Sequence, residues 1–117
     1  MKQDAKSTQP LSTAALYILL ALASEDLHGY GIIQEVARQS QDGYRIGPGT
    51  LYDNLKKLMD QKLVIDAPRA ARAKDDDRRF YRITSAGKAA LSSEIDRMHS
   101  IVLEARLRLR EGSPRSV

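Results

Sequence analysis

From Leu11 to Leu22 apolar residues recur at helical spacing. Leu11, Ala15, Ile18, Leu19 and Leu22 form one stripe, with Leu16 and Leu20 beside them. A helix so apolar nearly all round is expected to be central and covered on several sides. Ser12 or Thr13 can cap it. It should end near Ser24, where "SEDLHG" reads as a connector. A second helix is expected from about His28 to Ser40, with Tyr30, Ile33, Val36 and Ala37 as its apolar face. "QSQDGYRIG" breaks that pattern, and Asp-Gly is a turn signal. Leu51, Leu55, Leu58 and Met59 then fall on one face of a third helix.

The pattern changes after the third helix. Leu63, Val64 and Ile65 read as a short strand that Pro68 should end. Residues 69–79, "RAARAKDDDRR", are charged and unpatterned, as in a loop. Phe80 to Ile83 reads as the returning strand of a hairpin. Thr84 can cap a last, long helix. Leu91, Ile95, Met98, Val102, Ala105 and Leu109 lie along it at steps of 4, 3, 4, 3 and 4, a heptad-like seam. "EGSPRSV" should end it with Gly and Pro. The expected fold is mainly α, a winged helix-turn-helix with a long C-terminal helix. Its third helix would enter a DNA major groove. The expected organisation is a tail over 1–10, a winged helix-turn-helix domain over 11–84, a dimerisation helix over 85–111 and a tail over 112–117.

The third helix opens on Gly47-Pro48-Gly49, although glycine costs about 1 kcal/mol inside a helix. Pro48 suits the first helical position, which needs no amide hydrogen. Gly47 can serve as the cap. Gly49 lets a large partner approach the helix start closely, and the free amides there favour an anion. The face opposite the leucines carries Gly49, Thr50, Asp53, Lys57 and Asp60, with Tyr52, Asn54 and Lys56 on its flanks. Thr50 and Tyr52 can donate to phosphates or base edges, and Lys56 and Lys57 suit phosphates. The plainer reading is a turn followed by an ordinary helix with a soluble lysine face.

Charge distribution favours the first reading. Residues 1–44 hold 3 basic and 5 acidic side chains, residues 45–82 hold 10 and 6, and residues 83–117 hold 6 and 4. The middle therefore carries a net +4, the reading helix and hairpin included, which is an electrostatic reason to suspect nucleic acid. The chain has 117 residues, 42% of them hydrophobic, which fits one domain. A domain this small often gains stability by oligomerising. It has no cysteine, which removes disulfides and thiolate zinc sites and agrees with a cytoplasmic location. No apolar run reaches membrane-span length, and "MKQDAKSTQP" is too polar for a signal peptide. No membrane partner is expected.

Catalysis finds little support. His28 and His99 are the only histidines. The first suits capping or packing at a helix start, and the second should face solvent or a dimer edge. There is no glycine-rich phosphate loop, zinc spacing or nucleophile motif. No enzyme activity and no cofactor are expected. Asp75, Asp76 and Asp77 suggest a solvated loop tip more than a cation site, since no second cluster accompanies them.

"LHGYGI" (Leu27–Ile32), "PGTLYDNLKKL" (Pro48–Leu58), "KLV" (Lys62–Val64) and "RRFYRITSAGKAAL" (Arg78–Leu91) follow one another in order. With these motifs the chain resembles the PadR family of bacterial transcriptional regulators, over roughly residues 11–110. The resemblance implies a dimeric winged-helix repressor of the small subgroup with a single C-terminal helix. It implies DNA contacts at Gly49, Thr50 and Tyr52, with a wing over about Ile65 to Ile83. Arg69, Arg72 and Lys74 would lie on its outgoing arm or tip, and Arg78 and Arg79 on its returning arm as phosphate contacts. Many relatives carry proline where this chain has Asp53. That carboxylate can accept from a cytosine amine or pair with Lys57 one turn on, and the pair is the favoured reading. The aspartates at 75–77 partly cancel the wing's arginines, which argues against deep insertion.

The last helix would exceed twenty residues, about 30 Å or more, and so outreach a domain of three short helices. Its seam is expected to pack partly on the chain's own first helix, and the remaining apolar length, together with Ile18 and Leu22, to pair with a second copy about a two-fold axis. The partners expected are thus double-stranded DNA, read as an inverted repeat, and a second copy of the chain. Some relatives also sense small molecules between the two copies, so an effector of unknown identity belongs among the expected partners. This chain has no Trp and no aromatic residue after Tyr81, so a drug site built from aromatic rings on the last helix is not expected. The rival class is a winged-helix protein-interaction module without specific DNA binding.

Overall fold

Helix α1 (Thr13–Ala21) is the centre of the molecule. The computed structural model describes residues 10–68 and 76–115. Ile18 and Leu19 of α1 are wholly buried, and Leu22 after it is nearly so. Ser12 starts the helix by accepting from the Ala15 amide at 3.1 Å. Around α1 pack α2 (Gly29–Gln39), α3 (Pro48–Asp60) and the first turns of α4 (Ser85–Arg115). Ile32 and Val36 of α2, and Leu51, Leu55 and Leu58 of α3, close the core. Burying side chains of this size stabilises by about 1.5–3 kcal/mol each.

The face of α2 agrees with the expected one at Val36 and Ile33, which meet the core, and differs at Tyr30 and Ile32. Tyr30 is 65% exposed, while Gly29, Ile32 and Val36 turn inward. Ile32 is one step from the stripe chosen by spacing, and the helix is rotated to bury it.

Three strands form one antiparallel sheet in the order β1 (Leu27–His28), β3 (Phe80–Ile83), β2 (Val64–Asp66). The hairpin register pairs Val64 with Ile83, Ile65 with Arg82 and Asp66 with Tyr81. Strand β1 lies where the sequence suggests only a connector. Two residues show no alternation, and pairing with Tyr81 and Phe80 makes them a strand. Arg82 fixes the segment before β1 by a bidentate contact to Asp26 at 2.8 and 2.9 Å.

Thr84 caps α4, accepting from the Gly87 amide at 2.9 Å. Gly87 is needed here, since a Cβ would lie 2.2 Å from the Leu63 carbonyl oxygen. Helical backbone continues to Arg115, past the end expected at 111. Glycine lowers helix stability without forbidding another turn, and helix ends are soft boundaries. Buried Glu94 of α4 pairs with Arg97 one turn on. No described helix is long and apolar enough to cross a membrane.

Candidate nucleic-acid interface

Pro48 begins α3, with Gly47 as a cap that offers no side-chain hydrogen bond. Neither Gly47 nor Gly49 has a positive φ, and a Cβ at either would meet nothing within 4 Å. The fold itself therefore does not demand glycine at the two positions. Their lack of side chains leaves the helix start open to close approach from outside. Thr50, Asp53, Lys56 and Lys57 are all exposed on the outward face. Asn54 is turned back on its own helix, donating to the Thr50 carbonyl at 2.8 Å.

The favoured Asp53–Lys57 pair does not form among the described residues. Lys56 instead stands 3.7 Å from Asp60, one turn ahead. Both pairings have the same spacing and both are solvent-exposed, where such pairs contribute only a few tenths of a kcal/mol. Tyr52 is half exposed, but its hydroxyl is tucked against the start of α2. A Cβ at Gly29 would lie 2.2 Å from it.

Arg78 and Arg79 are exposed on the returning wing arm, yet each guanidinium holds a carboxylate. Arg78 donates from Nε and Nη2 to Asp76 at 3.0 and 2.8 Å. Arg79 donates to both oxygens of Asp66 across the hairpin, at 2.5 and 3.2 Å, and lies over the Tyr81 ring. The expected offset of the wing's arginines by aspartates is present at Arg78, and Asp66 adds a second such pair at Arg79. A phosphate there has to share or replace a carboxylate. Arg72 and Lys74 lie outside the described residues.

His28 is the residue that sequence reasoning undervalues. Its Nδ1 accepts from the Gly31 amide at 3.0 Å and caps α2. Its Nε2 faces Arg78 Nη1 at 2.9 Å. Burial holds its pKa below the ordinary value, the Arg78 cation adds to the depression, and Asp76 opposes both. The contact spans 50 residues of sequence, so only the capping role was visible from spacing. Arg45, paired with Asp42 at 2.9 Å, adds an exposed cation just before α3.

The C-terminal seam divides in two. Leu91 is buried in the chain's own core, as are Ile18 and Leu22. These three are thus removed from the surface offered to a partner, because α1 is the hub on which every helix packs. Ile95, Met98, Val102, Ala105 and Leu109 remain exposed. Ile101, Leu103 and Leu107 are exposed as well. Among the described residues no group of three or more His, Asp and Glu side chains is placed to hold a metal ion.

The sequence profile of the transcriptional regulator PadR-like family matches residues 18–93. The chain is 39% identical over 79 residues to the transcriptional regulator Rv3488 of Mycobacterium tuberculosis, covering 68% of this chain and 69% of that protein. A PadR family transcription regulator from Clostridium difficile superposes with a TM-score of 0.69 at 20% identity, over 84% of this chain and 99% of that one. Bacillus subtilis PadR, solved in complex with operator DNA, gives 0.62 at 22% identity, over 74% of this chain and 48% of that one. The matched segment runs from the middle of α1 through the sheet into α4, so it contains α3 and the hairpin but stops short of the exposed part of α4 from Ile95 onward. The chain belongs to the PadR-like family of transcriptional regulators.

Proposed function

We propose that the chain is a sequence-specific repressor that binds duplex DNA as a homodimer, with α3 in the major groove. The observation that carries this reading is the start of α3. Two glycines that the fold does not need stand beside an outward face bearing Thr50, Lys56 and Lys57. A phosphate backbone can approach such a helix start closely and meet its free amides. Bacillus subtilis PadR, a structural neighbour, was solved in complex with operator DNA, which supports DNA as the partner.

The homodimer reading rests on α4. Thirty-one residues extend about 46 Å, and the exposed Ile95, Met98, Val102 and Leu109 lie along one side. A contiguous apolar surface of this kind marks an interaction site. Two copies about a two-fold axis present two reading helices to successive major grooves, so the operator should be an inverted repeat. Release by a small-molecule effector belongs to the same reading and is testable once a tight duplex is in hand.

Fluorescence anisotropy tests the proposal. The probes are a labelled duplex from upstream of the chain's own gene and a shuffled duplex, each at low and moderate salt. Tight binding to the first that weakens steeply with salt is expected, because bound cations release counterions from DNA. Replacing Thr50 and Tyr52 by Ala should cut that affinity strongly. Absence of saturable binding to either duplex at any salt would favour a protein-interaction module instead.

A further inference from the structure

We propose that His28 is a positioning residue for DNA binding, whose single ring lone pair is contested by the Gly31 amide of α2 and by Arg78 of the wing. The inference rests on the DNA-binding reading for its consequence and on geometry for its premise. Both ring nitrogens face donors, with the Gly31 N–H at 3.0 Å from Nδ1 and Arg78 Nη1 at 2.9 Å from Nε2. A neutral imidazole has one bare nitrogen and one N–H, and an arginine can only donate. With the proton on Nε2, the ring caps α2 and turns an N–H toward Arg78. With the proton on Nδ1, it accepts from Arg78 and leaves the α2 amide uncapped. A doubly protonated ring serves neither.

The surroundings hold the ring where this conflict persists. The Phe80 ring meets His28 edge-on, with centroids 5.2 Å apart. Asp76 anchors Arg78 from the other side through Nε and Nη2. Arg78 also lies over the Phe80 ring. Among the described residues the charged groups facing the imidazole are Arg78 and Asp76, both from the wing arm.

A phosphate oxygen is an acceptor that can take Nη1 from His28. The ring then settles with Nδ1 bare, and the α2 cap is complete. Wing engagement and ordering of the α2 start therefore proceed together. The start of α2 touches the reading helix where Tyr52 meets Gly29, so the ring joins wing and reading helix through short contacts.

The test is the tautomer of His28, read from long-range nitrogen NMR of the full chain and assigned by loss of its signal in His28→Asn. Arg78→Ala should move the free protein toward the Nε2-protonated ring. Addition of the upstream duplex should do the same to the unmodified protein. An identical tautomer balance in the unmodified protein and Arg78→Ala, both free, overturns the proposal.

A second arm uses His28→Asn, since asparagine caps helices well but its shorter side chain ends before Arg78. Duplex affinities of the two single variants and the double variant should depart from simple multiplication by about threefold or more, as contacting residues do. Strict multiplication overturns the link to DNA. An unmodified protein that binds no duplex sinks the DNA-binding reading itself, and the free-protein comparison still decides whether the lone pair is contested.

Discussion

The hydroxyl of Tyr52 occupies the space that a side chain at Gly29 would need, 2.2 Å from the Cβ position. Gly29 has no positive φ, so its backbone does not call for glycine. It is small because the reading helix leans on the start of α2 at this point. The contact fixes where the half-exposed Tyr52 ring stands on α3.

Gly29→Ala should therefore act on binding more than on stability. The atom in the way is the far end of a side chain that can swing into solvent. The expected loss is about 1 kcal/mol or less in thermal unfolding. Affinity for the upstream duplex should nonetheless fall, because the displaced ring crosses the binding face. A variant with unchanged affinity would remove Tyr52 from that face.

Gly87→Ala presents the same 2.2 Å distance with a different obstacle, the backbone carbonyl of Leu63. Backbone within a paired strand connection cannot swing away. The expected destabilisation is about 3 kcal/mol, at the upper end for overpacking, measured by urea unfolding. A loss as small as that of Gly29→Ala would show that α4 can shift on the sheet.

Val102→Asp tests the second copy. Val102 is 44% exposed in the single chain, so an aspartate there should leave the fold intact. Buried between two α4 helices, it is an uncompensated charge and strongly unfavourable. Sedimentation velocity should give a folded monomer for the variant and a dimer for the unmodified chain. A persistent dimer would place the interface elsewhere.

The pKa of His28 lies below its ordinary 6.5 through burial and the Arg78 charge. Unfolded chains then bind more protons than folded ones in that window, so stability rises with pH through it. The contribution is fully present above about pH 6.5 and is lost as pH falls through the lowered value. Between about pH 7 and pH 5, the melting temperature of the DNA-free chain should fall further than that of His28→Asn. Asp26, lowered chiefly by its hydrogen bond from Arg82, gives up its contribution only below its ordinary 3.8, so the two effects separate. Parallel pH profiles would mean that His28 titrates normally.

Local signals carried the helices, and non-local ones defeated the sequence. Leu51, Leu55 and Leu58 announce α3 by period, Pro48 announces its start, and Ser12 and Thr84 cap where a hydroxyl was expected. Each depends on neighbours within a turn. Strand β1 exists only because Tyr81 and Phe80 pair with it, and two residues cannot show alternation. Arg79 finds Asp66 at a separation of 13 residues, and Arg78 finds His28 at 50. Nothing in the spacing of charges foretells such partners, whereas the neighbouring Asp76 that holds Arg78 lies in the aspartate run expected to offset the wing's arginines. Ile18, Leu22 and Leu91 carry the right chemistry for an interface, but burial in the chain's own core takes them first.

Thr84 also has a mechanical meaning. Its amide donates to the Leu63 carbonyl at 3.0 Å, its hydroxyl donates to the Lys62 carbonyl at 2.8 Å, and the same hydroxyl begins α4 by accepting from Gly87. Lys62 and Leu63 in turn hang from the last turn of α3 through the Met59 and Leu58 carbonyls. One residue thus welds the long shaft of α4 to the heel of the reading helix. Two chains gripping each other far out on their shafts would behave as a pair of calipers, in which a small change of angle at the grip becomes a change in the gap between the tips.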